Sequence, residues 1–303
     1  MLEELISGEG AVGLVLQGAP VQPPAPPTGV GENLQREGAR DDPGGPHGKS
    51  GLAHGSIGRR PKVGDYGGRS HLVEPMVPIT FVLVPGAGGV AWYWHRVVPE
   101  LGARGHAAVA VDLPGSDHAA GLPQYTDAIV AAMGDHPRVA VVAQSMGGFS
   151  APLACDRRPA ESLVLLNAMI PRPGETAGEW WGATGAAEAR VRAAEAGGYT
   201  TEFDPEIHFL HDVPAVVAAS GAAHLRDEAE IAFGQPFALE RWPDVPTRVL
   251  AGRDDRFFPL EFQRRVARER LGLEVEVVPG GHLAALAYPV ELVDRLLSVS
   301  PES

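Results

Sequence analysis

Cysteine is almost missing from this chain of 303 residues. Cys155 stands alone, so no intramolecular disulfide and no thiolate metal cluster can form, which fits a reducing cytoplasm. Lysine is nearly as scarce: Lys49 and Lys62 occur near the front of the chain and none follows. Long apolar runs are lacking too. The patch "AVGLVLQGAP" (11–20) is far too short to span a bilayer, and Glu3 and Glu4 precede it where a secretory signal carries positive charge. Positive charge is in deficit overall. With 25 Lys+Arg against 38 Asp+Glu the formal net charge is −13, which argues against nucleic acid and anionic membrane surfaces as partners.

What is present is unevenly distributed. Gly and Pro make up about a third of residues 1–75, in tracts such as "VQPPAPPTGVG" and "DDPGGPHGKSG". Such a stretch has too little periodic apolar surface to offset the entropy of ordering it. It reads as a disordered extension, or as a mis-called leader upstream of a true start at Met76; the mass of the native N-terminus separates the two. Residues 76–303 read as one domain.

From residue 79 short apolar runs alternate with longer amphipathic ones. Strands are expected at 79–84, 107–111, 138–143, 162–167, 247–252 and 273–279, and helices at about 92–104, 123–134, 146–157, 260–271 and 287–298. Most of the strand runs are continuously apolar, as in a parallel sheet covered by helices on both faces. Strict alternation of β and α implies right-handed crossovers and an open α/β sheet of about six parallel strands. Between about 171 and 242 the alternation stops and only helix-like pieces remain. That insertion, placed before the last two strands, is expected to fold as a helical lid over the strand ends.

Ligands in open α/β sheets bind beyond the carboxyl ends of the strands, so the polar residues that follow each strand matter most. Pro85-Gly86-Ala87-Gly88-Gly89 follows the first strand, Ser145 the third, Asp254 and Asp255 the fifth, and His282 the sixth. A hydroxyl, a carboxylate and an imidazole thus reach one edge in the chain order Ser, Asp, His. Ser145 sits in "VVAQSMGGFS" (141–150), a strand running into a glycine-flanked turn. The usual G-x-S-x-G signature has Ala143 in place of its first glycine.

Residues 78–298 resemble the α/β-hydrolase fold, in its compact lidded branch of plant methyl esterases, hydroxynitrile lyases and bacterial esterase-like relatives. "FVLVPGAGGVAWYW" is similar to that branch's oxyanion segment, "VDLPGSD" to the turn after its next strand, and "AQSMGG" to its nucleophile elbow. "GRDDRFFP" and "GGHLAALAYPVEL" are similar to its acid and histidine segments. The resemblance implies Ser145 as nucleophile, His282 as general base and Asp255 as the acid that orients it. Asp255 fits the pattern G-x-x-D-x-x-x-P through Gly252 and Pro259, and Asp254 then reads as a turn or cap residue. The resemblance also implies an oxyanion hole from the N–H groups of Ala87 and Met146. Pro85 stands where the branch often has histidine, so any bond that histidine makes in relatives is absent.

Around these lie residues with two readings. Gly86 and Trp92 are expected beside the substrate, although Trp92, Tyr93, Trp94 and His95 also suit simple helix packing. Trp180 and Trp181 either cover the substrate or anchor the lid. Asp112 reads as a turn-shaping residue and Cys155 as a small core residue. His118, His208 and His211 lack ligand-like spacing, so neither metal nor cofactor is expected.

The resemblance implies a carboxylesterase-like serine hydrolase, and the apolar, tryptophan-containing lid suggests a small, hydrophobic ester or related acyl compound as substrate. A cytoplasmic monomer or homodimer is expected. Two other readings stay open: a hydroxynitrile-lyase-like lyase, disfavoured because the pocket lysine of those relatives has no counterpart here, and a weakly catalytic ligand-binding or sensor protein. The aspartate nucleophile of dehalogenases and lidded epoxide hydrolases is excluded by Ser145 at the elbow.

Overall fold

The structure is a computed structural model that describes residues 78–298. The Gly/Pro-rich segment 1–75 and the candidate start at Met76 lie outside the described residues. The domain is built on six parallel strands in the order β2-β1-β3-β4-β5-β6. They are β1 (Thr80–Val84), β2 (Ala107–Ala110), β3 (Val139–Gln144), β4 (Ser162–Leu166), β5 (Thr247–Gly252) and β6 (Val275–Val278). Every residue of β1 and β3 is buried, whereas the edge strands β2 and β6 are mostly part-exposed. This is why the central strands read as unbroken apolar runs.

Alternate residues of the strands feed two separate cores, as the two-residue period of a strand requires. Val82, Val84, Val141, Ala143, Leu163 and Leu165 pack on one face with α2 (Leu122–Met133), α3 (Gly147–Arg157) and α9 (Leu260–Leu271). Phe81, Leu83, Ala140, Val142, Val164 and Leu166 pack on the other with α1 (Val97–Ala103), α10 (Ala284–Ala287) and α11 (Pro289–Leu297). The helix expected over 92–104 is divided: Ala91–Trp94 forms a short 3-10 turn before α1 begins.

Between β4 and β5 the chain leaves the sheet. The helices α4 (Ala177–Thr184), α5 (Ala186–Gly197), α6 (Pro205–His208), α7 (Ala215–Gly221) and α8 (Glu230–Gly234) fill this insertion, and it adds no strand to the sheet. Thr176 opens α4 with a capping box: its hydroxyl accepts from Glu179 N–H and Glu179 accepts from Thr176 N–H. The insertion is fastened to the sheet layers by a buried ion pair between Glu175 and Arg270 of α9, and Arg270 also donates to Ile170 O at 2.6 Å. Among the described residues no helix is long and apolar enough to cross a membrane.

Candidate active site

The carboxyl ends of the strands gather the residues singled out by the sequence. Ser145 follows β3 directly, and its backbone is held at φ +51°, a region that side chains other than glycine rarely occupy. Such a conformation costs about 1–3 kcal/mol and persists only where surrounding contacts impose it. Here they do: Ser145 O accepts from Gly148 N (3.1 Å) and Met169 N (2.9 Å), and Ser145 N donates to Leu166 O. The glycines around it answer to close backbone approach. A Cβ on Gly148 would lie 1.9 Å from Met169 O, one on Gly147 2.7 Å from Pro85 O, and one on Gly86 2.8 Å from Ser145 Cβ. Ala143, by contrast, lies within β3, wholly buried, and its methyl is accommodated in the core. The turn forms without the first glycine.

His282, on the loop after β6, places Nε2 3.2 Å from Ser145 Oγ and Nδ1 2.9 Å from Asp255 Oδ2. Asp255 is buried and well supplied with donors. Its Oδ1 accepts from the N–H groups of Phe257 (2.8 Å) and Phe258 (2.9 Å), and Oδ2 also accepts from Gln263 Nε2 at 3.2 Å. Asp254 is exposed, and its N–H donates to Gly280 O at 3.0 Å. Since a carboxylate only accepts, the proton between Asp255 and His282 belongs to Nδ1, which leaves Nε2 free to accept from the serine hydroxyl. Phe209 stacks on the imidazole and Phe257 and Phe258 meet it edge-on, with centroids 4.9–5.1 Å away. Among the described residues the N–H groups of Ala87 and Met146 donate to no protein acceptor.

The flanking aromatics fall into distinct places. Trp180 is fully enclosed, donates to Ile170 O at 3.1 Å, and packs on Phe258, Phe262 and Trp181. Trp181 packs on Phe257 and Phe258 in the same second layer. Tyr93 and Trp94 are buried in the core, while Trp92 is half-buried and sandwiched between His95 and His224. Cys155 is buried and its thiol is pushed up to about 12 by desolvation. Asp112 accepts from Ala91 N–H (3.0 Å) and pairs with Arg226 of the insertion (2.9 Å). His118 is exposed, and burial holds His208 and His211 below the usual imidazole range. Among the described residues no group of three His, Cys, Asp or Glu side chains gathers as metal ligands.

A family model described as "Alpha/beta hydrolase family" matches residues 81–295. The chain belongs to that family. Among its relatives, the "Probable esterase PIR7A" of Oryza sativa subsp. indica is 36% identical over 110 residues, 32% of this chain and 42% of the relative. The chain thus spans under half the length of that rice protein. Polyneuridine aldehyde esterase of Rauvolfia serpentina aligns over 254 residues at 24% identity, 73% of this chain and 95% of the relative. The crystal structure titled polyneuridine aldehyde esterase superposes with a TM-score of 0.59 at 22% identity, covering 73% of this chain and 98% of that one. At that identity the likeness is one of fold.

Three residues of this α/β-hydrolase were not singled out in the sequence. Asn167 directly follows β4, in the left-handed region (φ +46°). Its Oδ1 accepts from Gly252 N (2.7 Å) and its Nδ2 donates to Gly281 O (3.0 Å) and His282 O (3.1 Å), which ties β4 to β5 and to the histidine loop. The signal was available, since Asn167 is the polar residue that follows the fourth strand. Gln263 lies on the buried face of α9 and bridges Asp255 to Phe258 O. Glu228 is buried against Gly88 and Tyr125, yet it belongs to the charged stretch "RDEAE", which reads as a solvated surface.

Proposed function

We propose that the protein is a serine hydrolase that cleaves a small, apolar carboxylic ester, or a related acyl compound, through an acyl-enzyme on Ser145. The observation that carries this reading is the unbroken hydrogen-bonded chain from Ser145 through His282 to Asp255, with the serine held on a strained turn. The esterase names of the relatives support the same class.

A serine hydroxyl is a weak nucleophile at neutral pH and needs a base within hydrogen-bond reach. In this reading His282 Nε2 takes the proton as Ser145 Oγ attacks the carbonyl carbon. Asp255 stabilises the imidazolium that results and keeps the ring in its productive tautomer. The oxygen that becomes negative is met by the N–H groups of Met146 and Ala87. When the tetrahedral intermediate collapses, Nε2 returns its proton to the leaving alkoxide, and the alcohol departs. Water then repeats the sequence on the acyl-enzyme to release the acid. The helical insertion serves as a lid, and the aromatic walls around His282 favour an apolar acyl or aryl group.

Turnover of short p-nitrophenyl esters by wild type and Ser145→Ala tests the reading. The substitution is expected to lower kcat by at least about 10³-fold, together with loss of labelling by a fluorophosphonate. Undiminished hydrolysis by the variant would refute it.

A further inference from the structure

The oxyanion loop is a turn, and its middle peptide is held from outside. Gly89 N–H donates to Gly86 O at 3.1 Å, Gly88 sits at φ +83°, and Ala87 lies on the negative-φ side, which defines a type II turn. Type I and type II turns differ by a flip of the peptide that joins the two central residues, here Ala87 and Gly88. The donor of that peptide is the Gly88 N–H. It points into the Glu228 carboxyl, 2.6 Å from Oε2, while Tyr125 O–H of α2 donates to Oε1. After a flip the Ala87 carbonyl would face the carboxyl in place of a donor.

The surroundings are built to bring Glu228 to this spot. A Cβ on Gly115 would lie 2.9 Å from Glu228 Oε2 and 2.7 Å from Gly88 O, so the bare glycine is what admits the carboxyl. Ala229 N–H donates to Gly115 O at 2.7 Å, and Arg226 O packs where a side chain on Gly88 would go. Arg226 itself reaches Asp112 across the same seam. Burying a carboxyl costs free energy that an apolar side chain filling the same space would not, so its bonds are the reason for its presence.

We infer that Glu228 is a positioning residue of the oxyanion loop: by accepting from Gly88 N–H it anchors the residue next to Ala87, and so fixes where the loop presents the Ala87 N–H to the reacting carbonyl. This rests on the serine-hydrolase reading above. Burial pushes the Glu228 carboxyl up to about 7, against the pull of the bonds it accepts from Tyr125 and Gly88.

The test compares Glu228→Leu, which fills the space and removes both bonds, with Glu228→Gln. In the amide, Oε1 can accept from Gly88 and Nε2 can donate to the Tyr125 hydroxyl. Ester hydrolysis, thermal melting and affinity for a trifluoromethyl ketone, which forms a tetrahedral adduct on the serine, are measured for each. Glu228→Leu is expected to lower kcat tenfold or more with KM within threefold, and to weaken the ketone in parallel; Glu228→Gln is expected to restore both to within threefold of wild type. A kcat for Glu228→Leu within threefold of wild type overturns the inference, as does an equal loss in Glu228→Gln. Should Glu228→Leu not fold, Glu228→Asp takes its place: the shorter side chain withdraws from Gly88, and an unchanged kcat overturns the inference. Fluorophosphonate labelling of wild type keeps the two ideas apart. An unlabelled Ser145 means the serine-hydrolase reading has failed, whereas a labelled Ser145 with kcat indifferent to Glu228 means only the positioning role has.

Discussion

Ala143 and Gly148 show why one glycine of the elbow motif can be replaced and another cannot. Ala143 is strand residue and core residue at once, paired with Val84 and Leu165 in register and packed with the aliphatic side chains of that face. Gly148 faces the backbone oxygen of Met169 at a distance no Cβ could tolerate. Gly148→Ala is therefore expected to destabilise the fold by about 3 kcal/mol through overpacking and to displace Ser145, with activity lost together with the melting temperature. Ala143→Gly recreates the familiar motif yet is expected to cost about 1 kcal/mol, because glycine weakens a strand interior. Its kcat should stay within a few-fold of wild type. Denaturant unfolding alongside ester hydrolysis separates the two outcomes; a Gly148→Ala protein as stable as wild type would show that the elbow relaxes more easily than its packing implies. Pro85 contributes in a different way, since its carbonyl lies where any side chain on Gly147 would have to go.

At the scale of elements, the insertion between β4 and β5 is held at its root by charge and near Ser145 by polar contacts. Glu175 and Arg270 form the root pair, with side chains 9% and 2% exposed, so removal of either partner strands the other in a poor solvent. Glu175→Ala is expected to cost about 3–5 kcal/mol, whereas a paired replacement of both residues by apolar ones should cost far less; a double-mutant cycle by urea unfolding measures the difference. Nearer the site, Asp212 Oδ2 accepts from Gly281 N–H at 2.7 Å, next to His282, and Glu228 accepts from Gly88 in the oxyanion loop. The insertion thus touches both loops that flank Ser145. None of these contacts was legible from local pattern, because a carboxylate in a polar stretch reads the same whether it meets water or a distant backbone N–H.

For the whole molecule, the buried Glu228 links stability to pH. Its carboxyl is raised to about 7, by burial first, while the bonds from Tyr125 and Gly88 pull it down. An acid whose pKa is higher in the folded than in the unfolded state holds an extra proton between the two values, so stability falls as pH rises from about 4.5 through 7. Glu228→Gln removes that loss and should be more stable than wild type at pH 8, by on the order of 1–3 kcal/mol, with the advantage shrinking towards pH 5; a pH-independent difference would place the linkage elsewhere. Much of this protein was determined by its sequence alone. The period of the apolar runs set the six parallel strands, and the residues just beyond them, Ser145, Asp255 and His282, follow from strand order because all parallel strands deliver their carboxyl ends to one edge. Asp255 was preferred to Asp254 only through the family pattern G-x-x-D-x-x-x-P that the resemblance supplied, and in the structure it is Asp255 that lies 2.9 Å from His282 Nδ1. Only the tertiary structure decided what Asn167, Gln263 and Glu228 do, and that Trp180 lies behind Phe258 rather than beside Ser145. Gln263 meets Asp255 and Phe258 only 8 and 5 positions away, but the other outcomes depend on contacts between distant segments: the hydrogen bonds that Gly88 donates to Glu228 and Asn167 donates to His282 span 140 and 115 positions. No local periodicity encodes such a distance.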